Sequence, residues 1–425
     1  MGKGGRMRLT KEEQLMLDGD KGKGVQQAME ILVKMGELYG ANRFLPVKNA
    51  HIDAAAYTTI WDAGTEFIEY LVDNGAKVAV PTTINPVSRD IRNWEKLGTT
   101  KKFAKKSKRL EDAYLKLGVI PTWTCAPYQC TNVPVFGEVV SWSESNAVNF
   151  INSVVGAKAE RLPDLVDVCC AVVGRVPEYG LYKDENRAGD VLIRLEYFND
   201  AWFRDSVDYA ILGYRIGELV VNKVPVIAGL PDHTTPDDLK ALSAAAASGG
   251  AVALFHVIGI TPEAPNLKTA FHGRNDYDVI NITPKVFRET EKRLSSANRE
   301  EVDLVLVGCP HLSFPELKEI AGLLAGKHTA KDTKFWIHTS RTVYDLAARA
   351  GIAQVIEKSG AVILNDTCLM KMDCEGVWKG QHFVTNSGKA AQYAPAIAGV
   401  DITMANLKGC VKTALTGKSP KRRLY

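Results

Sequence analysis

The last third of the chain alternates short apolar runs with amphipathic stretches, and this limits the fold more than any other feature. Residues 302–307 form a continuous apolar run of the kind that makes a strand covered on both faces. Ser313 with Glu316 has capping-box spacing and opens a helix that reaches Leu324. Residues 335–338 then read as a strand, 342–350 as a helix, 355–358 as the end of a further helical stretch and 362–364 as a strand. Strands that alternate with helices at this spacing predict a parallel sheet with helices on its faces.

The middle of the chain repeats the signal. Residues 224–228 read as a strand, 237–247 as a helix and 251–255 as a strand, and the loop formers of 262–281 suggest a boundary. Nearer the start, Thr10 with Glu13 has capping-box spacing, and Ala28, Ile31, Leu32, Met35, Leu38 and Tyr39 recur at helical spacing. Residues 77–80 read as a strand that stops at Pro81 and enters the loop Thr82-Thr83-Ile84-Asn85-Pro86. A length of 425 residues suits two or three α/β domains. We expect them at 1–205, 206–300 and 301–425.

Composition narrows the function class. The chain is 46% hydrophobic and 24% charged, enough apolar surface for a core without a disulfide framework. Its 53 Lys and Arg against 49 Asp and Glu give a formal charge of +4, which does not argue for nucleic acid or a membrane. Apolar runs such as 251–255 fall far short of the roughly 18 residues of a membrane span. The start is polar and Gly-rich rather than a secretory signal. Met7 reads as the natural start, with residues 1–6 as a disordered extension. The expectation is a cytoplasmic protein, with the basic tail at 418–423 as a solvated end.

Eight cysteines in such a chain point to metal or redox chemistry, or to buried thiols. Functional residues of a parallel sheet collect beyond the C-terminal ends of strands. Cys309, in Gly308-Cys309-Pro310-His311, follows one strand, and Cys368, in Asn365-Asp366-Thr367-Cys368, follows another. Cys125 lies in the loop Thr124-Cys125-Ala126-Pro127-Tyr128. Three thiolates converging from three loops can hold an iron–sulfur cluster and leave one iron open to substrate. The competing reading, a small buried hydrophobe, fits Cys169 and Cys170 among Val166, Val168, Ala171 and Val172. There is no CxxC pair, and Cys130, Cys374 and Cys410 carry no assignment.

Lys389 follows Ser387-Gly388 at a strand-to-helix turn, where an ammonium beside backbone N–H groups suits a carboxylate or phosphate. A solvated surface lysine is the competing reading. Glu144 beside Ser145 can orient a substrate hydroxyl or amine, or can form an exposed helix cap. His51 and His311 rank below the cysteines, as structural hydrogen-bonders.

The segments Pro46-Val47-Lys48-Asn49-Ala50-His51, Pro81 to Pro86, Trp142-Ser143-Glu144-Ser145, Pro177-Glu178-Tyr179-Gly180, Cys309-Pro310-His311 and Thr385 to Ala391 stand in an order that resembles aconitase X large subunits. The resemblance runs from about Met7 to about Lys418. It implies an aconitase-like α/β fold, with multiple layers of parallel sheet and flanking helices. It also implies a hydro-lyase that removes water from a small hydroxy acid. The cluster ligands it implies are Cys125, Cys309 and Cys368. Its substrate contacts fall on Ala54, Ala55, Ala56, Asn85, Pro86, Glu144, Ser145 and Lys389, with Lys389, Glu144 and Ser145 as catalytic candidates.

The family's proton-abstracting serine sits on a small swivelling domain. No serine here has an obvious base beside it, and the match occupies the whole chain. The resemblance therefore implies a separate small subunit as partner. Family members acting on mevalonate 5-phosphate carry Gly-Val-Ser where this chain has Ala54-Ala55-Ala56. That departure favours a substrate like cis-3-hydroxy-L-proline, with mevalonate 5-phosphate as the alternative. A cofactor-dependent oxidoreductase lacks its GxGxxG after a strand. A silent binding scaffold does not explain Cys125, Cys309, Cys368 and Lys389 together.

Overall fold

The structure, a computed structural model, describes residues 7–199, 201–373 and 378–420. Cys374, the extension at 1–6 and the tail beyond 420 lie outside them. The chain divides into two compact units, one ending at Ala188 and the other beginning at Gly189.

The first unit holds five short strands: β1 (Phe44–Pro46), β2 (Ala50–Ile52), β3 (Thr82–Ile84), β4 (Ser141–Trp142) and β5 (Arg175–Pro177). β1 and β5 form an antiparallel pair, while β2 lies between β3 and β4 in a parallel sheet. A parallel bridge from Thr83 to Ile120 adds one more segment on the far side of β3. Helices cover this sheet. Lys23–Leu38 buries Ala28, Met29 and Leu32, and Lys101–Leu117 buries Leu110, Tyr114 and Leu117. Each fully buried large apolar side chain contributes about 1.5–3 kcal/mol. The helix Val166–Val173 packs Cys169 and Cys170 wholly inside this core, as expected of small hydrophobes.

One strand expectation in this unit moves. Residues 77–80 are half-exposed and form no ladder, although Val78 and Ala79 each donate one backbone bond to a neighbouring helix. The strand is instead the stretch Thr82–Ile84, which the sequence pattern reads as loop. All three of its residues are buried, because its hydroxyls are bonded internally. Thr82 donates to Val80 O at 2.8 Å, and Thr83 lies 2.8 Å from His51 Nδ1.

The second unit contains two all-parallel sheets. β6 (Val191–Leu195), β7 (Pro225–Ala228), β8 (His256–Val257) and β9 (Asp278–Ile282) are ordered β8-β7-β6-β9. β10 (Leu304–Leu312), β11 (Lys334–Thr339), β12 (Val362–Asn365), β13 (His382–Thr385) and β14 (Asp401–Met404) are ordered β12-β11-β10-β13-β14. The parallel α/β layers expected from the sequence are therefore present. Both capping boxes form, Thr10 with Glu13 and Ser313 with Glu316.

Two expectations fail here. Residues 251–255 are largely buried but belong to no strand ladder, although Ala251 donates its N–H to Val221 O, and the strand is the two residues after them. Residues 262–281 are no boundary, because β9 begins within them and pairs along the whole of β6. Loop-forming composition there reflects a connection inside one sheet. Among the described residues no helix is long and apolar enough to cross a membrane.

Candidate active site

In the first unit, β2 runs into Asp53-Ala54-Ala55-Ala56, β3 into Asn85-Pro86 and β4 into Ser143-Glu144-Ser145. Parallel strands end on one edge of their sheet, so the order β3-β2-β4 sets these three loops side by side. The segment after Ile120 reaches the same edge. Thr124 donates its N–H to Ile84 O at 3.1 Å, and Cys125 follows it. The predicted contact residues of this unit and Cys125 thus share one edge.

A buried polar network fixes that edge. His51 is fully buried, with Nδ1 2.8 Å from Thr83 Oγ1 and Nε2 3.3 Å from Asn85 Oδ1. Burial pushes its imidazole down to about 4, against a smaller upward pull from the Asn85 bond. The ring is therefore neutral at pH 7 and carries one N–H. An amide oxygen only accepts, so Nε2–H donates to Asn85 and Nδ1 accepts from the Thr83 hydroxyl. Asn85 then donates its amide N–H to the Asp53 carboxylate. His51 is a structural hydrogen-bonder, as expected.

Asp167 closes the network. It is fully buried and accepts from Ser143 Oγ at 2.6 Å, from Asp53 N–H at 2.8 Å and from Val168 N–H at 2.7 Å. Burial pushes its carboxyl up to about 7, although the Ser143 bond works to lower it. Ser143 therefore does have a carboxylate beside it, contrary to the sequence expectation. Its oxygen also accepts from Asp53 N–H at 3.1 Å, so it serves as a brace. Tyr114 reaches in from its helix and donates to Ala54 O at 2.6 Å.

Glu144 caps the helix Ser145–Phe150 through Ala147 N–H at 2.7 Å, and Ser145 Oγ donates to it at 3.3 Å. The pair is thus a helix cap, but Glu144 is buried rather than exposed. Next along, Asn146 donates to Cys125 O at 3.2 Å and to Tyr128 Oη at 3.0 Å, which ties the Cys125 loop to this helix. The Asn146 side-chain oxygen is buried and has no partner among the described residues.

In the second unit the remaining predicted residues lie at the C-terminal ends of β10, β12 and β13. The strand does not stop before Cys309. β10 breaks register after Val307 and pairs again at Leu312, so Cys309 sits in an irregular extension. Gly308 makes this possible: it has φ +99°, and a Cβ there would lie 2.1 Å from His338 O. Cys368 is buried just beyond β12. Burial pushes its thiol up to about 12, the nearby Cys309 adds to the rise, and Lys371 and Lys389 oppose it. Cys309, Cys368 and Lys389 thus lie within electrostatic reach of one another.

Two histidines hold this edge. His311 Nε2 and His338 Nδ1 both donate to Thr367 O, at 3.1 and 3.0 Å. Ser387 caps the helix Gly388–Ala398 and donates its hydroxyl to Cys309 O, so Lys389 sits in the first turn of a helix tied to the Cys309 segment. Among the described residues, no three His, Cys, Asp or Glu side chains gather closely enough to hold a metal ion.

Sequence reasoning passed over Asp53, Thr83, Asn146 and Asp167. For Asp167 a signal existed: it is the lone charge in the apolar run from Val166 to Val173, the mark of a buried partnered group.

Comparison with known proteins places these edges in a family. Sequence profiles described as the aconitase X first, second and third domains match residues 6–185, 189–292 and 302–416. A cis-3-hydroxy-L-proline dehydratase of Pseudomonas aeruginosa is 40% identical over 418 residues, which is 97% of this chain and 71% of that protein. A phosphomevalonate dehydratase large subunit of Methanocaldococcus jannaschii is 37% identical over 409 residues, 96% of this chain and 100% of that one. The crystal structure of Thermococcus kodakaraensis aconitase X in its holo-form aligns with TM-score 0.86 at 36% identity, covering 96% of this chain and 100% of that chain. With three domain profiles in order and relatives matched over nearly its full length, the chain belongs to the aconitase X family.

Proposed function

We propose that this chain is the large subunit of an iron–sulfur hydro-lyase that removes water from a small hydroxy acid. The observation that carries the reading is that Cys309 in the irregular end of β10, Cys368 beyond β12 and Lys389 in the helix after β13 lie within electrostatic reach of one another. Two soft thiolates of this kind suit iron, and Cys125 is the third ligand in the proposal. When bound, the cluster supplies a Lewis acid for a hydroxyl leaving group.

The chain's own residues do the rest. Lys389, in the first turn of its helix, binds a substrate carboxylate or phosphate. Asn85, held by His51, and the Glu144–Ser145 pair orient the polar groups of the substrate. The Ala54, Ala55 and Ala56 side chains are buried and carry no donor, so that loop offers only backbone groups and shape.

For the substrate we favour one like cis-3-hydroxy-L-proline. The Pseudomonas relative named for that substrate is 40% identical, and the alanine loop lacks a hydroxyl for a phosphate. The second reading is mevalonate 5-phosphate, favoured by large subunits named for that substrate, which the chain covers from end to end. The proton-abstracting serine comes, in this proposal, from a small swivelling-domain subunit. Support comes from relatives named large subunits, and from the exposed Val133, Val135 and Phe136 beyond the Cys125 loop, an apolar group suited to a partner. The cytoplasm is the proposed setting, where thiols stay reduced.

The test is a dehydration assay of the anaerobically purified chain on both substrates, with and without the small subunit. Turnover of cis-3-hydroxy-L-proline only on mixing supports the full proposal. Turnover of mevalonate 5-phosphate alone replaces the substrate assignment, and full turnover by the isolated chain removes the partner.

A further inference from the structure

We propose that Asp167 is a positioning residue that locks the loops after β2 and β4 into one shape, and so sets substrate affinity without touching substrate. The inference rests on the functional reading only in taking those loops as substrate contacts. Its geometry stands apart from that.

Asp167 belongs to neither loop. It comes from the first turn of the helix Val166–Val173 and is fully buried. One of its oxygens, Oδ2, accepts from Asp53 N–H, at the start of the β2 loop, and from the Ser143 hydroxyl, at the start of the β4 loop. The other oxygen accepts from Val168 N–H and is thereby aimed. All three groups hydrogen-bonded to the carboxylate donate to it, so in its ionised form, which prevails above about pH 7, the position uses both oxygens as acceptors.

An amide of the same shape cannot meet this requirement. With its oxygen toward Asp53 and Ser143, asparagine turns its NH2 group onto Val168 N–H. Turned over, it sets the NH2 group against Asp53 N–H. One buried donor is left facing another in either case. Ser143→Ala is the narrower cut, because Asp53 N–H loses its longer bond to Ser143 Oγ but keeps its shorter one to Asp167, so the β4 loop is released most.

The experiment compares wild type, Asp167→Asn and Ser143→Ala by amide hydrogen exchange over residues 53–56 and 143–146, and by steady-state kinetics with the small subunit and cis-3-hydroxy-L-proline. Asp167→Asn should speed exchange at both loops by roughly tenfold or more, as local opening becomes easier. Ser143→Ala should do so at 143–146 while Asp53 stays protected. In both variants KM should rise by about tenfold with kcat much less affected, the pattern for lost ground-state binding. A merely structural role predicts less active enzyme, with kcat lower and KM unchanged. That result, or wild-type exchange at both loops in the variants, overturns the proposal. If Asp167→Asn does not fold, Ser143→Ala decides alone on the same readouts. If no substrate turns over, the functional reading fails separately, and the exchange pattern still decides this one.

Discussion

The two units solve the same problem by different means. Each must aim loops from the C-terminal edge of a parallel sheet. The second unit does so with long strands: β10 spans nine residues and β11 six. Its loops are tied from side chain to backbone, as with Ser387 to Cys309 O and the two histidines to Thr367 O, and by charged pairs, Arg341 with Asp366 and Lys240 with Glu316 and Asp237. In the first unit the sheet strands are three residues or fewer. There the loops are held to one another by side chains, through Thr83, His51, Asn85, Asp53, Ser143 and Asp167. Where the ladder is short, a buried polar network takes over the positioning.

The sharpest break in this comparison is at the thiols. If the strand-end cysteines hold the cluster, Cys125→Ser, Cys309→Ser and Cys368→Ser should each lose most of the bound iron, measured as iron and sulfide per chain after anaerobic purification. Cys169→Ser and Cys170→Ser should keep it, because those thiols are buried in the core of the first unit. Retained iron in the triple variant would sink the ligand assignment.

Next in size is the second unit's charged contact. Lys389→Ala should lower kcat/KM by about 1.5–3 kcal/mol, roughly 10- to 150-fold, the range for a charged hydrogen bond. Near-wild-type kinetics would remove Lys389 from the site.

The first unit's network should show in stability against pH. His51 titrates near 6.5 when unfolded and at about 4 when folded. Below 6.5 the unfolded chain takes up a proton that the folded chain refuses. The contribution is therefore complete above 6.5 and is lost as pH falls toward 4. Between pH 7 and pH 5 wild type should lose about 2 kcal/mol more than His51→Gln in urea unfolding. Equal losses would mean that His51 does not set this dependence.

The smallest effect tests one side-chain tie of the second unit. Ser387→Ala removes a helix cap and the tie to Cys309 O, and should cost about 1 kcal/mol in urea unfolding. A cost several times larger would show that the long-strand edge depends on side chains as much as the other does.

The same contrast decides what was legible in the sequence. Three strands of the second unit's five-stranded sheet, β10, β11 and β12, hold apolar runs such as Leu304 to Val307 that hydrophobic pattern finds, with Cys309 and Cys368 after them, whereas β13 (His-Phe-Val-Thr) and β14 (Asp-Ile-Thr-Met) mix polar and apolar residues and go unread. β2, β3 and β4 read Ala-His-Ile, Thr-Thr-Ile and Ser-Trp. Their polar residues are buried because they bond one another, and a hydrophobic pattern cannot register a satisfied hydroxyl. For the same reason the pattern reads β3 as a loop. Asn85 rests on family resemblance alone, and the partners that give Asp167 its role, Ser143 and Asp53, lie 24 and 114 residues away along the chain.

The most direct measurement of the central claim is turnover before and after removal of iron. The chain, purified anaerobically with its small subunit, is assayed for loss of water from cis-3-hydroxy-L-proline, stripped with a chelator, assayed again, and reconstituted with iron and sulfide. The account predicts activity that vanishes on stripping and returns on reconstitution. Undiminished turnover by the fully iron-free protein would contradict it.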